Sequence, residues 1–270
     1  MRHRAFVVLA FVIPVSLAAQ GGAGAPREPD GVMLEFARFA DIFGSRLVAA
    51  FDSIPAARYG YRPTPAQQTV GYIAQHLEDA NYSLCERFGE LKARRTSKDS
   101  LADTVKARWP KDTLVARLRA SLRFCDTAIE RAGPLRSARL ASSLLAFETD
   151  LAEHYSQLSS YMRLLGMVPP SALPPKHRTA ITLPATALSA YVGRYLFAAG
   201  LELEVTARDG ALFVKSNLGG DAAQLWPEST TDFFLKAVDA QITFTRDATG
   251  AVTGLILHQF DRDRVAKKLP

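Results

Sequence analysis

Apolar residues recur every three or four positions between residues 30 and 171, then alternate with polar ones from residue 185 onward, and a proline-rich tract separates the two regimes. Side chains share one face of a helix at a period near 3.6 and one face of a strand at a period of two. No single secondary structure satisfies both periods, so the chain calls for an α unit and a β unit with separate cores. With 270 residues, 48% of them hydrophobic, it is long enough to fill both.

The helical pattern falls into four segments. Residues 33–51 set Phe36, Phe39, Phe43, Leu47 and Phe51 on one stripe and end before Pro55. Residues 67–91 follow the start signal Thr64-Pro65 and carry Val70, Ile73, Leu77, Leu84 and Phe88 on one face. Residues 111–132 lie between Pro110 and Gly133-Pro134, and residues 136–165 hold an unbroken stripe from Leu140 to Leu165 that stops at Gly166. Stripes of this kind can be buried only against one another, which predicts an up-down four-helix bundle over residues 30–171.

Residues 172–184, beginning ALPPKHR, show no period and read as a linker. Beyond them lie eight short alternating runs, from YVGRYLF to DRVAKKL, punctuated by Ala199-Gly200, Asp209-Gly210, Gly219-Gly220 and Thr249-Gly250. The expectation for 185–270 is an antiparallel meander closed into a small barrel or bent into a strongly curved sheet, which makes the whole chain α+β. Its inner face could be a packed core or a ligand cup.

Residues 1–20, MRHRAFVVLAFVIPVSLAAQ, place two arginines before an apolar run and small residues near Ala18 and Ala19, the pattern of a cleaved secretory signal. The run falls short of the roughly 20 residues that span a bilayer. Pro14 interrupts it and no Cys follows it, so the reading is export to the periplasm or exterior with no stable membrane anchor. Losing Arg2 and Arg4 lowers the formal charge from +6 to +4, and the other basic residues are scattered, so the charge demands no nucleic-acid partner. In an oxidising compartment Cys85 and Cys125, the two cysteines of the chain, are expected to form a disulfide between two helices. The alternative is a pair of buried thiols or one nucleophile.

Five histidines bound any metal site. His154 occupies the apolar stripe of the last helical segment, where a polar ring needs a partner, and Asp150 lies one turn earlier on nearly the same face. His76, at the edge of the second segment's apolar face, could add a third ligand from across the bundle. Two imidazoles and a carboxylate suit zinc, nickel or iron.

The segments TPAQQTVGYIAQHLEDANYSLC (64–85) and EHYSQLSSYMRLLGMVPPS (153–171) resemble the two signature stretches of the DinB/YfiT-like superfamily of metal-dependent four-helix bundles. The resemblance implies a divalent metal held by one His on the second helix and an H-x-x-x-H pair on the last. Position by position it assigns His76 and His154 to those roles, with Asp150 where the family has a further His. Asn81, Tyr155 and Arg163 fall within the same stretches and are carried as candidate site-lining residues, with structural roles as the alternative. Bundles of this kind often pair, so a homodimer is an open expectation. Residues 185–270, above all LWPESTTDFFLKAVDAQITFTRD, resemble the lipocalin-like domain appended to exported serine β-lactamase-like hydrolases.

No lysine has a Ser three positions before it, so the S-x-x-K nucleophile of those hydrolases is absent, as are G-x-S-x-G, H-E-x-x-H and Walker-type loops. The chemistry that the resemblance's metal site implies for an exported chain is hydrolysis by metal-activated water. The competing expectation is a non-catalytic envelope protein with a degenerate metal site, whose β unit binds a small molecule or a protein.

Overall fold

The computed structural model describes residues 30–270 apart from residues 90, 175, 198, 199 and 261. The expected signal, 1–20, lies outside the described residues. The first helix, α1 (Gly31–Ser53), starts where the Asp30 carboxylate accepts a hydrogen bond from the Val32 N–H, filling one of the donor positions that a helix start leaves open. Next, α2 (Val70–Cys85) is shorter than the expected 67–91 because the Thr69 hydroxyl caps it, accepting from the Tyr72 N–H. Phe88 and Leu91, which prolonged the periodic pattern, still pack on the core, but from irregular chain.

A single turn, α3 (Asp103–Lys106), is too short for periodicity to reveal. Gly71 lets α2 approach the end of that turn, since a Cβ there would lie 2.3 Å from the Ala107 carbonyl oxygen. The fourth helix, α4 (Lys111–Ala132), coincides with its expected segment, and α5 (Ala138–Leu164) starts at the Ser137 cap. Both α1 and α2 pack against α4 and α5. The stripes meet in one core where Leu47, Phe51, Leu77, Leu118 and Leu144 are fully buried. Cys85, at the end of α2, is bonded to Cys125 in α4, so neither thiol is left as a nucleophile.

Glu148 on α5 conflicts with this burial: both its carboxylate oxygens are buried without a hydrogen-bond partner. Burial pushes its pKa up to about 8. A proton held more tightly in the folded than in the unfolded state gives stability that is complete at acid pH and lost as pH rises through the folded value. Glu148→Gln is therefore expected to match the parent near pH 5 and to exceed it by about 3 kcal/mol at pH 9. Urea unfolding at both pH values checks this, and equal stabilities at pH 9 would refute it.

After a short turn, α6 (Ala185–Leu188), the β unit is a closed antiparallel barrel in which every strand pairs with its sequence neighbour. Its strands are β1 (Gly193–Phe197), β2 (Glu202–Arg208), β3 (Ala211–Ser216), β4 (Gly219–Pro227), β5 (Asp232–Leu235), β6 (Ala240–Arg246), β7 (Val252–Gln259) and β8 (Arg262–Lys268). Pairing of β1 with β8 closes the ring, so of the two expected forms, barrel and curved sheet, the barrel is the one found. Asp209 and Gly210 both have positive φ, 52° and 72°, the conformation a two-residue hairpin turn needs. Gly219-Gly220, expected as a turn, instead opens β4, and the reversal falls at Asn217-Leu218.

Tyr191, Tyr195, Phe233 and Phe244 fill one part of the barrel, ring against ring, with the Tyr195 hydroxyl donating to the Tyr191 carbonyl at 2.6 Å. This stretch of the inner face is a packed core. Residues 172–184 do not run free: the Ile181 N–H donates to the Pro227 carbonyl at 2.8 Å, and Arg178 pairs with Glu228 at 2.9 Å.

The two units meet through β8. Register sets Arg264 opposite Leu257 and Arg262 opposite Gln259 on the lumen side, and both guanidiniums reach out of the barrel to the buried carboxylate of Asp41 on α1. Arg262 also pairs with Asp126 on α4. Phe260, in the turn before β8, holds a φ of 56° at this junction, a conformation that L side chains rarely adopt.

Candidate metal centre

Packing of α2 on α5 brings His76 together with Asp150 and His154. One turn of α5 separates the last two, so helical geometry alone puts them side by side. The Asp150 Oδ1 lies 3.6 Å from His76 Nε2 and 3.5 Å from His154 Nε2, and the three ligand atoms fall within 4.8 Å of one another. The rings of the two histidines meet edge to face at 4.8 Å between centroids.

Ligand atoms about 2.0–2.1 Å from a tetrahedral ion stand about 3.3 Å apart, so the two separations from Asp150 are close to that spacing, while the full spread of 4.8 Å requires the two imidazoles to draw together around a cation. The donor set fits as well as the spacing. Asp150 Oδ2 is buried with no hydrogen-bond partner, and a carboxylate oxygen in that state needs a positive charge beside it. The Asp150 carboxylate raises the pKa of His76 above the ordinary imidazole value, against the opposing effect of burial.

The proton on His154 can be placed. The Tyr161 hydroxyl donates to the Gln68 carbonyl at 3.1 Å, which spends its only hydrogen. Its oxygen must then accept from the Gln157 Nε2, 3.0 Å away, which turns the Gln157 Oε1 toward His154. That oxygen lies 3.0 Å from His154 Nδ1 and accepts the Nδ1–H, leaving the Nε2 lone pair to face Asp150. Metal-ligating histidines are oriented in just this way by a partner on the second nitrogen. Gln157 was not singled out in the sequence, although its position three residues after His154 was a usable signal.

His76 keeps 36% of its side chain exposed against 10% for His154, so the cluster opens to solvent on the α2 side, where Tyr72 stacks on His76. The other candidates sit elsewhere. Asn81 turns to α4 and donates to Ser121 Oγ at 2.9 Å, and the Tyr155 hydroxyl accepts from the Ser171 N–H at 2.8 Å while its ring faces Phe43 on α1. Arg163 is exposed at the end of α5. These three residues therefore support the fold around the cluster and do not line it. His258 is occupied on the barrel by Thr243 and Asp263.

Residues 177–268 match a family model described as a domain of unknown function, DUF3471. The match begins inside the tract read as a linker from its sequence, consistent with the bonds that tie Arg178 and Ile181 to the barrel. No curated protein matches the chain.

Proposed function

We propose that α1, α2, α4 and α5 form an up-down four-helix bundle of the DinB/YfiT-like kind and that His76, Asp150 and His154 hold a divalent ion, zinc, nickel or iron, in an exported hydrolase. The observation that carries this reading is the convergence of three ligand atoms from two helices at Asp150, whose second carboxylate oxygen is buried without a hydrogen-bond partner. A bound ion would supply Lewis acidity and lower the pKa of a water in an open coordination position. The protein's own residues do the rest. Gln157 and Tyr161 hold the His154 ring in its ligating tautomer, and Asp150 Oδ1 stands between the two imidazoles. Exposure of His76 leaves room for a substrate to enter beside Tyr72.

Elemental analysis of the purified chain, after incubation with each metal and gel filtration, tests the site. Stoichiometric metal is expected in the parent and a loss of at least tenfold in His154→Ala. Absence of metal from the parent after all three incubations sinks the reading. Asp150→His, which restores the residue found at this position in the resembling family, is expected to retain the ion.

A further inference from the structure

The barrel lumen is not filled along its whole length. Toward the helical unit a cavity of about 250 Å³ remains, walled by Phe197, Leu203 and Leu257 of the barrel and roofed by Leu34 of α1 and Ile129 of α4. These five side chains keep 5–9% exposure, whereas Tyr195, Phe233 and Leu255 deeper in the lumen have none. The cavity accounts for this residual exposure at the helical end of the lumen. We infer that this capped end of the lumen binds a neutral amphiphile with an apolar body of about ten non-hydrogen atoms and one hydroxyl or similar polar group.

Size follows from volume. An apolar cavity of about 150 Å³ stays dry and accepts benzene. One of 250 Å³ takes a body of naphthalene or short-chain size. Binding sites also concentrate at domain interfaces and barrel mouths, and this cavity is both.

Charge follows from pairing. Arg262 and Arg264 at the cavity rim are spent on Asp41 and Asp126, and Arg38 is spent on Glu35. The remaining ionic group on the wall, Glu130, is exposed, and its charge opposes an anion. Among the described residues no unpaired cation is left at the rim to hold an acid, and Glu130 is exposed to water, where a single ion pair holds an amine only weakly. The polar handle is Gln259, on the lumen side opposite Arg262, whose amide takes part in no hydrogen bond among the described residues. A hydroxyl meeting that amide gives the ligand its orientation.

The probes are 1-naphthol, naphthalene and 1-naphthoate, titrated into the full-length chain by calorimetry. The expected result is that 1-naphthol binds in the micromolar range and that 1-naphthoate binds at least tenfold more weakly. Leu34→Trp and Leu257→Trp fill the cavity from opposite walls, and either, if folded by circular dichroism, is expected to weaken 1-naphthol at least tenfold. Gln259→Leu is expected to weaken 1-naphthol about fivefold and to leave naphthalene unchanged. If the parent binds no neutral probe, prefers the anion, or binds equally well when a folded variant has its cavity filled, the inference is overturned. The metal cluster lies on α2 and α5, outside this cavity, so its occupancy does not bear on the result.

Discussion

Asp41→Ala is expected to lower the unfolding free energy by about 3–5 kcal/mol, more than most single substitutions, because it removes the buried carboxylate that two guanidiniums share and strands one of them. Asp41 is 4% exposed, accepts a hydrogen bond from Arg262 and forms an ion pair with Arg264. Burial already pushes both guanidiniums below the ordinary arginine value. Asp126 would still compensate Arg262, but Arg264 has no other carboxylate partner among the described residues. Urea unfolding of Asp41→Ala measures the loss. The control is the quadruple variant Asp41→Leu, Asp126→Asn, Arg262→Met, Arg264→Met, which removes the charges together and is expected to recover most of it, since a buried ion pair replaced whole by apolar groups is often neutral or stabilising. A single variant within about 1 kcal/mol of the parent would show that water reaches the pair and screens it.

The second large effect belongs to the Cys85–Cys125 bond. Breaking it releases a loop with a sequence separation of 40. In the chain-entropy account such a loop is worth about 4 kcal/mol of denatured-state restriction. The double variant Cys85→Ala, Cys125→Ala is expected to lose that amount and to melt about 10 °C lower. The folded state should change little, because α2 and α4 also meet through Asn81–Ser121 and through Glu78, which takes Arg117 at 3.0 Å and Arg95 at 2.8 Å. Calorimetry of the parent with and without a reductant gives the same comparison without mutation. A shift under 2 °C in both experiments would mean that the unfolded chain gains little freedom when the bond is opened.

The α and β units were legible in the sequence wherever a local rule acted alone. Alternation plus turn dipeptides located all eight strands, and Pro110 with Gly133 bracketed α4. The ends of α2 were not legible because Phe88 and Leu91 keep the apolar period after the helix has stopped, so packing and helix cannot be told apart there. His154 and Asp150 were visible through their helical spacing, and His76 through its place at the edge of the second segment's apolar face, to which the resemblance added. Two features were beyond local reading. The Tyr161–Gln68 link and the Arg262–Asp41 pair join residues separated by 93 and 221 positions, and only the folded chain shows that the hydroxyl and the guanidinium find those acceptors. Asn81, Tyr155 and Arg163 illustrate the converse: shared membership of a signature stretch does not tell which helix face a residue occupies.

Pairing of β1 with β8 also bears on how the chain reaches its folded state. Ring closure removes every strand edge, and exposed edges are the templates on which β proteins aggregate. Until β8 has been synthesised, however, β1 and β7 each present an unpaired edge, while the apolar residues meant for the lumen face water. The helices that pack on one another all precede the barrel in the chain and have no such dependence, so they can fold while the β unit is still waiting for its last strand. Loss of residues 262–268 would then leave a chain whose helices are sound but whose sheet is open on both sides, ready to add strands from its neighbours.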